Sequence, residues 1–128
     1  MIEEAYVSFE TAKLLKEKGF DEFCHAYYED EDNPNINIHG SKAINWNKTE
    51  FISKPTQQMT MRWLREVHNK YCDVSYDIDY KWYFQIIDLK EIVEYYYPET
   101  KHYHDETDFN TYEEAVEAAI KYCLKNLI

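Results

Sequence analysis

The densest set of metal-ligating side chains lies near the C-terminal third. His102 and His104 are set one residue apart, and Asp105, Glu106 and Asp108 follow them. On an extended chain, residues two apart point to the same side. Both imidazoles would then face one point, and two His with a carboxylate form a ligand set for zinc or iron. Any further ligand has to come from elsewhere, from Cys24, His25 or His39. The same residues also read as a polar connector with two solvated imidazoles, because neither H-E-x-x-H nor paired cysteines accompany them.

Three other groupings carry less. Asp77-Ile78-Asp79 is a D-x-D pair that could hold a divalent cation. It reads more simply as the wet side of a strand, where aligned charges discourage edge pairing. The acidic run from Asp30 departs from a calcium-binding EF-hand loop at Pro34, Asn35 and Ser41, which stand where a ligand, a glycine and a bidentate glutamate belong. Cys24 and His25 are neighbours. On a strand they face opposite ways and make no nucleophile–base pair.

For recognition, the strongest candidates are Tyr95, Tyr96 and Tyr97, with Tyr103 nearby. Tyrosine offers contact area at low entropic cost. Three successive Tyr on a helix cannot all point inward, so at least one ring would meet solvent. Amphipathic edge packing is the other reading of the same residues. Lys42, Lys48, Lys54, Arg62, Arg65 and Lys70 form a basic island with Trp46 and Trp63 among them. Cations with aromatics suit single-stranded nucleic acid.

Against that stands a formal net charge of −11 on 128 residues, which opposes binding to nucleic acid or an anionic membrane. The charge is uneven. Residues 1–32 carry ten acids and three bases, 33–70 two acids and six bases, and 71–128 thirteen acids and five bases. Only Gly19 and Gly40 are present. A Walker A loop, a G-x-G-x-x-G turn and a G-x-S-x-G elbow are therefore excluded, and no cofactor is expected. Cys24, Cys72 and Cys123 are odd in number and far apart, which predicts buried free thiols in a reducing compartment. The acidic start Met1-Ile2-Glu3-Glu4 leads into no apolar region, and no stretch is long enough to span a membrane. The expected location is cytoplasmic.

The elements that must position these residues are readable from caps and periodicity. The length predicts one domain, 1–128. Three main helices are expected at about 9–18, 56–69 and 112–127. Ser8 caps the first and Gly19 stops it. Pro55 and Thr56 open the second, whose apolar side is Met59, Trp63 and Val67 with Leu64. Thr111 and Glu114 form a capping box on the third, with Ala115, Val116, Ala119, Ile120, Cys123 and Leu127 inward. Alternation places Val74, Tyr76, Ile78 and Tyr80 on one strand face and Asp73, Ser75, Asp77 and Asp79 on the other. A second strand over 82–87 completes a hairpin of about 73–87. Shorter strands are expected near 20–28 and 36–38. Asp88 to Glu91 resembles a capping box, and Leu89, Ile92, Val93 and Tyr96 recur at helical spacing, although Tyr95–Tyr97 would suit a strand equally. The class predicted is α+β, a small antiparallel sheet against three helices.

Two segments carry a resemblance: Pro55 to His68, PTQQMTMRWLREVH, and Phe109 to Ile120, FNTYEEAVEAAI. Both resemble short uncharacterised proteins of gut Bacteroidales and their phages or mobile elements, over roughly a third of the chain by eye. The resemblance implies a genomic setting and no activity. The expectation is a non-enzymatic interaction or accessory protein that presents an acidic, Tyr-rich surface to a protein partner, one form being an inhibitor that imitates nucleic acid. The alternative is a small metal-binding or metal-dependent enzyme domain using His102 and His104.

Overall fold

The computed structural model describes residues 2–30, 37–38, 42–79, 81–90, 93–95 and 109–128. The class is α+β, and the described residues form three α-helices and two antiparallel three-stranded sheets. Chain contacts divide it into two compact units, Met1–Met59 and Thr60–Ile128.

The first unit opens with helix α1, Phe9–Glu17. The Ser8 hydroxyl accepts from the Thr11 N–H, as its N-cap position requires. At the other end Gly19 has φ +87°. Its N–H donates to the Lys16 carbonyl and the Phe20 N–H donates to Leu15. This is a Schellman closure, which only a residue without Cβ enters cheaply. It turns Phe20 inward, where it is buried with Val7, Ala12 and Leu15. Strands β1 (Ala26–Tyr28), β2 (Asn37–Ile38) and β3 (Ile52–Ser53) pair in the order β2-β1-β3.

Buried aromatics in this unit are held by their polar ends. The Tyr28 hydroxyl donates to the Val7 carbonyl at 2.8 Å. The Trp46 indole N–H donates to Cys24 O at 2.8 Å. The Lys54 ammonium lies 4.3 Å from the centre of the Tyr28 ring. Burial holds its pKa below the ordinary lysine value, and the ring face offsets part of that desolvation.

Helix α2, Gln57–His68, starts where expected. The Thr56 hydroxyl caps it by accepting from the Met59 N–H. Its buried side keeps the expected Trp63 and Leu64 but not Met59 and Val67. Gln57, Thr60, Met61, Trp63 and Leu64 are buried, whereas Met59 and Val67 are 36% and 53% exposed. Counting apolar residues alone misplaced the stripe, because the short polar side chains of Gln57 and Thr60 occupy the inner line.

The second unit is built on β4 (Lys70–Asp77), β5 (Lys81–Asp88) and β6 (Val93–Tyr95), in the order β4-β5-β6. Helix α3, Tyr112–Asn126, packs on β4 and β5. Its capping box forms as expected: Thr111 Oγ1 accepts from the Glu114 N–H, and Glu114 Oε2 from the Asn110 N–H. Ala115, Val116, Ala119, Ile120, Cys123 and Leu124 are buried. The inner line thus ends on Leu124, with the expected Leu127 only half-buried.

The helical reading of 88–97 is corrected where that segment is described: Asp88 ends β5, and residues 93–95 form a strand. Asp88 does not cap a helix. Its Oδ1 accepts from the Lys90 N–H, closing an Asx turn, and its Oδ2 accepts from Lys70 Nζ at 2.7 Å. The chain then reverses and pairs Val93 with Asp88 and Tyr95 with Ile86. The edge of an eight-residue strand offers a row of backbone partners to a β-branched and aromatic segment, and this outweighs apolar spacing.

Candidate functional site

The site that stands out is the free end of the β4–β5 hairpin. The two strands pair without interruption from Lys70↔Asp88 to Asp77↔Lys81. Directly opposed residues share a face. One face therefore carries Cys72 with Ile86, Val74 with Phe84, and Tyr76 with Trp82. The other carries Asp73 with Gln85, Ser75 with Tyr83, and Asp77 with Lys81. The Gln85 amide donates to Asp73 Oδ2 at 2.8 Å, which ties the polar face together.

The first face fades from core to surface along its length. Ile86 is 0% exposed and Phe84 5%, whereas Tyr76 is 58% exposed. The cause is the register of α3. Tyr122 lies 6.1 Å from Phe84, and Tyr112, the first residue of the helix, lies 5.5 Å from Trp82. α3 begins at the Trp82 level, and Tyr76 meets Trp82 in a T-shaped pair with centroids 5.1 Å apart. The strand alternation was read correctly as to face. It holds through Asp77, where β4 ends; Ile78 and Asp79 lie in the turn, Tyr80 falls outside the described residues, and Tyr76 and Ile78 are exposed rather than buried.

The turn is built without Asn-Gly or Asp-Gly. Asp77 Oδ1 accepts from the Asp79 N–H at 2.7 Å, and Lys81 takes φ 63° to bring the chain back. That arrangement pushes Ile78 outward to 87% exposure. The tip therefore presents Tyr76, Ile78, Trp82 and Tyr112, flanked by Asp77, Asp79 and Glu113. Lys81, bonded to Asn110 Oδ1, adds one positive charge. Such a surface supplies apolar contact area and negative charge.

The residues singled out from sequence are distributed differently. Tyr95 lies in β6 opposite Ile86. Tyr96, Tyr97, Tyr103, His102 and His104 fall outside the described residues. Among the described residues, no group of three or more His, Cys, Asp and Glu could hold a metal ion. Asp77 of the D-x-D pair is used by the turn. His25 is exposed, whereas Cys24 is buried beside Met59, with Sγ and Sδ 3.8 Å apart. Burial pushes the Cys24 thiol up to about 12, far from a nucleophile at neutral pH.

The basic island does not offer a stacking platform. Trp46 and Trp63 are both buried. Lys54 lies over Tyr28, Arg62 pairs with Glu66, and Lys70 pairs with Asp88. Among the described residues, no helix is long and apolar enough to cross a membrane. No family profile, curated protein or solved structure matches the chain.

Proposed function

We propose that this chain is a non-enzymatic interaction protein that docks the acidic, aromatic tip of its β4–β5 hairpin on a basic protein surface. The proposal includes the setting that the resemblance implies, an accessory protein of a bacterial or phage genome. The observation that supports it is the exposure of Tyr76 and Ile78 beside the half-buried Trp82, with Asp77 and Asp79 nearby in sequence and Glu113 next to Tyr112. Burying an exposed isoleucine side chain returns roughly 1.5–3 kcal/mol. A tip that keeps Ile78 87% exposed therefore holds back energy that a partner releases. The carboxylates select a positively charged partner and speed encounter, with the salt dependence that implies.

The test is affinity capture from bacterial lysate with the wild-type chain and with the Tyr76→Ser/Ile78→Asp variant. The expected result is a retained basic protein that is lost in the variant and weakened by salt. Ile78 is almost wholly exposed, and losing the Tyr76–Trp82 contact costs about 0.5–1.5 kcal/mol, so the variant should still melt as a cooperatively folded protein. Equal capture by a correctly folded variant would remove the hairpin tip from the proposal.

A further inference from the structure

Cys72 and Cys123 stand 51 residues apart in sequence, yet their sulfurs lie 3.8 Å apart. Cys72 is on the edge strand β4, on the sheet face that α3 covers, and Cys123 is on the inner side of α3. They are 4% and 0% exposed. Cys24, the remaining thiol, belongs to the other unit and has a carbonyl and a thioether within contact distance. Two of the three thiols are thus brought together and one is set apart.

We infer that Cys72 and Cys123 form an oxidation site, at which a two-electron oxidant of the peroxide class joins them as a disulfide tying β4 to α3. A disulfide bond is about 2 Å long. The sulfurs have less than 2 Å to close, within reach of small changes in their χ1 angles. The chemistry balances in two steps. One thiolate attacks a peroxide oxygen, the O–O bond breaks, and water leaves after protonation, giving a sulfenic acid. The second thiol attacks that sulfur, the S–O bond breaks, and a second water leaves. Two thiols and one hydrogen peroxide become one disulfide and two waters.

Burial sets the kinetics. Neither sulfur meets solvent in the closed fold, and both the Cys123 neighbour and desolvation hold the Cys72 thiol above its ordinary pKa. The thiolate, which is the reactive form, is therefore scarce until α3 lifts from β4. Once formed, the link closes a loop of about 50 residues, and in the chain-entropy account long loops gain the most. The site therefore records an opening event and prevents its repetition.

The test uses the full chain, reduced and then treated with hydrogen peroxide, and in parallel refolded from denaturant in a buffer of reduced and oxidised glutathione. The expected product is a monomer about 2 Da lighter, with one free thiol after denaturation and a peptide link between Cys72 and Cys123. Its melting temperature should rise by about 10 °C and return on reduction. Three free thiols after oxidative refolding would overturn the inference. So would a link involving Cys24, or a disulfide-bonded form that melts no higher than the reduced one.

Discussion

Replacing Asp88 by alanine should destabilise the second unit by about 3 kcal/mol or more. Asp88 is 5% exposed and uses both carboxylate oxygens. Oδ2 accepts from Lys70 Nζ at 2.7 Å, and Oδ1 accepts from the Lys90 N–H at 2.9 Å. The Lys70 side chain is only 13% exposed. Removing the carboxylate leaves an ammonium largely out of water, with a 3.5 Å contact to the His68 carbonyl. Breaking a buried pair from one side costs about 3–5 kcal/mol, and the lost turn hydrogen bond adds about 1. The His68 contact offsets part of this, which places the expected loss toward the lower end. A melting-temperature drop of roughly 10 °C follows for a chain of this size. The assay is urea unfolding of wild type, Asp88→Ala, Lys70→Met and Lys70→Met/Asp88→Ala, with m compared across the set. The double variant should lose less than the sum of the single ones by about 2 kcal/mol, because no unpaired charge remains buried. A loss below about 1 kcal/mol for Asp88→Ala, the value of a solvent-exposed pair, would refute the reasoning. So would strict additivity in the double variant.

Thr111→Ala should cost about 1 kcal/mol in urea unfolding, since the hydroxyl that accepts from the Glu114 N–H is removed. Lys81→Gly should stabilise by about 0.5–1 kcal/mol, because φ 63° is strained for a residue with a Cβ; a lower melting temperature would mean that the Asn110 contact outweighs that strain. The Cys24 thiol should make stability fall in alkaline solution. Its folded pKa is raised from 9.0 to about 12, so its contribution is whole below about pH 9 and is lost as pH climbs toward 12. Relative to Cys24→Ala, the wild type should lose about 1–2 kcal/mol between pH 8 and about pH 10.5 in paired urea melts, and a pH-independent difference would contradict the assignment.

The features legible in the sequence are those whose interactions close within a few residues. Ser8, Gly19, Thr56 and Thr111 act on backbone groups three or four positions away, or on their own φ, so helix ends could be placed from composition and spacing. Strand alternation is also local, and it sorted Asp73, Ser75 and Asp77 from Val74 and Tyr76 correctly. The site was not legible in the same way. Tyr76 and Ile78 read as core because apolar residues on an alternating face ordinarily are. The exposure of Tyr76 depends on where α3 begins over the sheet, which no local rule contains, and Ile78 lies in the turn rather than on the strand.

The sequence by itself determined the class, the helix caps, the faces of the hairpin and the lack of glycine-rich loop motifs. Tertiary structure decided the rest. It turned 93–95 from apolar helical spacing into a strand, because β5 offered an edge and Asp88 was already held by Lys70 and Lys90. It set the inner line of α2 on Gln57 and Thr60, which hydropathy undervalues. It placed Cys72 against Cys123 across 51 residues and left the hairpin tip uncovered. These outcomes depend on which surfaces meet, and sequence periodicity specifies a face without specifying what covers it.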